Sequence, residues 1–131
     1  MAIDRAEQVI RTAAVLTTSY VASSVVAMRD LGFTEVDYLV RVDDAGTLTS
    51  IEIGIQYSLQ STPVVWNAMQ TESVTEGVST LYPYVIQKAS PTTADLIAFT
   101  VPVRGQYQRL MIKGTGTVSG CSISAYALRR G

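Results

Sequence analysis

Asp95–Arg130, DLIAFTVPVRGQYQRLMIKGTGTVSGCSISAYALRR, decides the fold class. Leu96 to Val103 is rich in β-branched and aromatic residues, and Arg104-Gly105-Gln106 interrupts it. Tyr107 to Lys113 follows, then Gly114-Thr115-Gly116-Thr117, then a last run from Ser119 to Leu128. This is the pattern of three strands separated by glycine-bearing turns, and it reads as a meander.

Upstream, Glu35 to Asp43 alternates: Val36, Tyr38, Val40 and Val42 on one face, Asp37, Leu39, Arg41 and Asp43 on the other. Ser50 to Ser58 does the same, with Ile51, Ile53, Ile55 and Tyr57 opposed to Glu52, Gly54 and Gln56. A period of two with one wet face is the mark of antiparallel sheet. With Asp43-Asp44-Ala45-Gly46 between them, the two runs predict a hairpin.

The remaining runs are less regular. Ala13 to Tyr20 and Val21 to Met28 predict strands, with a bend at Ser23-Ser24 and a turn at Leu31-Gly32. Gln60-Ser61-Thr62-Pro63 closes the hairpin unit, and Val64-Val65-Trp66 opens a strand towards Met69. Glu72 to Thr80 reads as a polar loop, Leu81 to Lys88 as a strand with Pro83 marking an edge or bend, and Ala89 to Ala94 as a loop. Residues 1–12 read as a short N-terminal helix or arm, because Asp4 and Glu7 have capping-box spacing and Ile3, Ala6, Val9 and Ile10 can share a side. The expectation is one domain over 1–131: an all-β antiparallel sandwich, jelly-roll-like, made of short strands roughly 8–12 residues apart.

Composition narrows function. Charged residues are 16% of the chain, against a usual figure of about 25%. Much of the surface is therefore Ser, Thr, Gln, Gly or apolar, which suits burial against copies or partners. The net charge of −1 has no basic stripe, so nucleic-acid binding is not expected. No run approaches the ~20 apolar residues of a membrane helix, and MAIDRAEQVIR lacks the apolar region of a secretory signal.

The residues also argue against catalysis. There is no histidine, which removes the commonest general base and every Ser-His-Asp arrangement, and the single cysteine, Cys121, shares a face with Ile123, Ala125 and Ala127 as a small core hydrophobe. Asp37, Asp43 and Asp44 are the best acidic group, but Asp-Asp-Ala-Gly is a good turn without any ion and matches no calcium-loop spacing. Glu72 and Glu76 read as a solvated loop rather than a glycosidase pair. Gly114, Gly116 and Gly120 form no phosphate loop. No catalytic, cofactor or metal residue is expected. The candidates are interface residues: Trp66, Tyr82 and Tyr84 around the central loop, and Leu39, Tyr126 and Leu128 on the outward sides of otherwise well-patterned strands.

Tyr107-Gln108-Arg109-Leu110-Met111-Ile112-Lys113-Gly114-Thr115-Gly116, followed by Ser119 to Leu128, resembles the closing hairpin of small β-sandwich proteins of tailed-phage virions. The likeness covers about the last third of the chain. It implies a jelly-roll-like capsid decoration, or cement, subunit that coats a shell of major capsid protein in the virion after synthesis in the host cytoplasm. It also implies an oligomer of itself, a trimer by analogy. The alternative is a carbohydrate- or receptor-binding module of a tail or cell surface.

Overall fold

The computed structural model describes residues 7–28, 32–59 and 65–130, with the backbone alone at 71–73 and 80–83. Every regular element among them is a strand: β1 (Gln8–Ala14), β2 (Val21–Ala22), β3 (Val26–Ala27), β4 (Glu35–Asp44), β5 (Leu48–Ser58), β6 (Asn67–Ala68), β7 (Gln70–Thr75), β8 (Val78–Pro83), β9 (Val85–Ala89), β10 (Leu96–Pro102), β11 (Tyr107–Gly116) and β12 (Ser122–Arg130). One sheet runs β1-β12-β4-β10. In the second, β11 and β5 lie side by side, β2 and β3 flank β11, and β6 and β9 flank β5. A two-stranded ribbon, β7-β8, forms a third sheet. All pairings are antiparallel.

The alternation in sequence becomes the core. Val36, Tyr38, Val40 and Val42 of β4, with Ile123, Ala125 and Ala127 of β12, belong to one buried cluster with Ile51, Ile53 and Ile55 of β5 and Leu110 and Ile112 of β11. The two larger sheets thus share a single apolar interior, the arrangement of a β-sandwich. A polar link crosses it. The Tyr38 hydroxyl donates to Gln108 Oε1 at 2.9 Å, and Gln108 Nε2 donates to the Pro102 carbonyl at 3.0 Å. Gln108 is wholly buried, so these bonds satisfy an amide that would otherwise be costly to desolvate.

The strands read at Glu35–Asp43, Ser50–Ser58 and in the closing stretch are present, but two of the expected pairings are not. β4 and β5 do not form a hairpin: β4 lies between β12 and β10, and β5 lies in the opposite sheet. Their connection turns the chain from one sheet to the other, with Ala45 buried, Gly46 at φ 53° and the Gly46 amide donating to Asp44 Oδ1 at 3.0 Å. The closing stretch is likewise no meander, since β10, β11 and β12 alternate between the sheets. At Arg104-Gly105-Gln106 the crossing is tight. Gly105 has φ 68°, and a Cβ there would lie 2.4 Å from the Ser58 carbonyl oxygen.

The N-terminal segment also differs. Its residues 8–11 are strand, not helix: Gln8 pairs with Ala127 and Val9 with Tyr126. Residues 1–6 lie outside the described residues. A helix this short is marginal in water, whereas edge pairing buries Ile10. Between Val15 and Tyr20 there is no strand, and the Thr17 hydroxyl bonds the Ser19 carbonyl at 2.6 Å, giving the backbone a local alternative to a ladder. Only the short β2 and β3 appear where a full strand to Met28 was expected.

The expected loop at Glu72–Thr80 is the β7–β8 ribbon. Its tip, Glu76-Gly77, has φ 52° and 78°, the doubly positive geometry of a tight hairpin turn. Trp66 itself is outside any strand, while Leu81–Lys88 splits at Tyr84 into the end of β8 and β9.

Candidate functional site

The expected interface residues fall on different surfaces. On the outer face of the four-stranded sheet, register puts Val9, Tyr126, Leu39 and Ala98 in one row across all its strands. Val9 is 52% exposed. Leu39, Tyr126 and Leu128 are half-buried and line a shallow depression of about 440 Å³. Beside it sits a charged corner. Arg130 bridges Glu35 and Asp37 at 2.6 Å each, and Thr100 Oγ1 donates to Asp37 Oδ1. The Arg130 bond is the main reason that the Asp37 carboxyl sits below its usual range.

The second surface is a groove on the outer face of the other sheet. Its floor is Gly54 of β5 and Met111 of β11, which are paired directly. Tyr20, Tyr84, Met69 and Val85 contribute to its lining, and its volume is about 290 Å³. Gly54 leaves real space, because a Cβ built there would meet only Met111 Cβ, at 4.0 Å. Polar pairs bound the groove along the strands. On one side Lys113 bridges Glu52 at 3.2 Å and lies 4.8 Å from the Tyr20 ring centroid. On the other, Arg109 donates to Gln56 Oε1 at 2.9 Å and lies 4.1 Å over the Trp66 ring. Tyr84 thus lines the groove and Trp66 stacks on Arg109 next to it, while the side chain of Tyr82 lies outside the described residues.

The acidic candidates do not converge. Asp43 pairs with Arg41, Asp44 caps its own turn, and Asp37 belongs to the charged corner. Among the described residues no group of His, Cys, Asp or Glu is arranged to hold a metal ion. Glu76 is exposed at the ribbon tip. Cys121 is buried and its Sγ accepts from the Leu16 amide at 3.3 Å, a structural contact.

Sequence reasoning missed Gly54, Tyr20 and Met111 as a group. A clue was present, since a glycine inside an alternating strand often marks a close approach by something else. Comparisons with protein-family models, curated proteins and solved structures find no match.

Proposed function

We propose that this chain is a non-enzymatic structural subunit of a tailed-phage virion, a capsid decoration protein that docks through the outer face of its four-stranded sheet. The observation that carries the reading is the apolar row Val9–Tyr126–Leu39–Ala98, with Leu128 beside it, over which no further strand lies among the described residues. Such a row on a sheet face is costly to leave wet, and the Arg130 corner next to it supplies a polar rim. We further infer a jelly-roll connection. The support is the order β1-β12-β4-β10 in one sheet against β2/β3-β11-β5-β9 in the other, which interleaves early and late strands as two Greek keys do. Rigid docking of many copies would act through avidity, so each contact can be modest.

The test is whether purified particles of the phage encoding this chain contain it, and whether the protein rebinds particles that lack it. The expected result is presence in the particle, with Leu39→Arg lowering rebinding by about tenfold or more, since a charge is then forced against an apolar contact. Absence from particles, or rebinding by Leu39→Arg equal to that of the parent, contradicts the proposal. A second reading, a carbohydrate- or receptor-binding module, is favoured by the aromatic lining of the Gly54 groove and predicts glycan affinity without particle binding.

A further inference from the structure

The β7–β8 ribbon is hydrogen-bonded to neither of the larger sheets as a strand partner among the described residues. Among the described residues its strands pair only with each other, whereas every other strand belongs to one of the two larger sheets. A two-stranded hairpin is marginal in water unless a further strand or a packed surface supports it. Its tip nevertheless presents apolar surface. Val74 and Val78 are 63% and 64% exposed, and the register puts them on opposite faces of the ribbon, Val74 opposite Ser79 and Val78 opposite Thr75. Glu76 lies between them at the turn.

The Gly54 groove has complementary features. It is an apolar slot with tyrosines in its walls and an open space where a side chain would ordinarily stand. At its border Arg109 carries a guanidinium held by an amide and a ring, with no carboxylate partner among the described residues. We propose that the ribbon tip of one copy seats edge-on in the Gly54 groove of a second copy, with Val74 and Val78 turned to opposite walls, towards Tyr20 and Tyr84, and Glu76 against Arg109. The contact covers the exposed valines, adds packing to the two-stranded ribbon and gives the cation a carboxylate. It rests on the reading of the chain as a self-associating subunit, and it is independent of the shell-facing surface.

The experiment is sedimentation velocity on the full chain over a concentration series, with Trp66, the only tryptophan, as a fluorescent reporter beside the groove. The parent should dissociate on dilution with a shift in Trp66 emission. Gly54→Val is the decisive variant. It meets open space in a strand that favours β-branched residues, so the melting temperature of the isolated chain should hold or rise while association weakens about tenfold or more. Glu76→Arg and Arg109→Glu should each weaken association, and the double exchange should restore it to within about threefold of the parent. Association of Gly54→Val equal to the parent's, or a double exchange no tighter than the singles, overturns the proposal. A parent that stays monomeric yet rebinds particles also overturns it, and leaves the shell-docking reading standing.

Discussion

Among the described residues Tyr38 is the largest of the wholly buried side chains, and its hydroxyl links the two sheets through the core. Its ring packs against Phe99, with centroids 5.5 Å apart, and its hydroxyl donates to the Gln108 amide oxygen. Tyr38→Phe keeps the ring and leaves Gln108 Oε1 buried without its donor. The expected cost is about 1–3 kcal/mol, measured by chemical denaturation. Burial also pushes the Tyr38 phenol above its ordinary value. A folded-state value above the unfolded one contributes stability that is present below the unfolded phenol's pKa of about 10 and lost as pH rises beyond it. The gap in stability between the parent and Tyr38→Phe should therefore narrow between about pH 8 and pH 11. A gap that stays constant over that range would show that the hydroxyl is not sequestered.

At the scale of elements, the faces of strands were legible and several of their partners were not. Val36, Val40, Ile51 and Ile53 were assigned inward from alternation alone, and all are fully buried. Alternation reports which face is apolar, not which strand lies alongside. A hairpin and a turn between facing sheets bury the same residues, so Glu35–Asp44 and Leu48–Ser58 look alike in either arrangement. The groove was illegible for a related reason: Tyr20, Met111 and Tyr84 are far apart in sequence and meet only because β2, β11 and β9 assemble around β5. The ribbon escaped notice because its turn is Glu-Gly rather than the stronger Asn-Gly or Asp-Gly. The crossing turns can be tested directly. Gly105→Ala puts a Cβ against the Ser58 carbonyl in a left-handed conformation, while Gly77→Ala, at φ 78°, meets nothing within 4 Å. Gly77→Ala should cost about 1–2 kcal/mol, the conformational penalty alone. Gly105→Ala should cost clearly more in thermal or denaturant unfolding. Equal costs would mean that the β10–β11 crossing is not held tightly against β5.

The whole molecule has little charge and apolar features on both outer sides of its sandwich. A chain of this size has a high ratio of surface to volume, and in this single copy Val9 is exposed while Leu39, Tyr126 and Leu128 are half-buried on the same outer face. An interface on the order of 1,000 Å² covers such a patch. The proposed self-association rests on the low charge of the chain and on the pairing of the ribbon tip with the Gly54 groove. The most direct measurement is the mass of the purified chain by light scattering across a dilution series around micromolar concentration. The account predicts a mass that is a multiple of the 14.1 kDa chain, threefold if the phage resemblance carries over, falling only on dilution. A single species of 14.1 kDa at every concentration would contradict it.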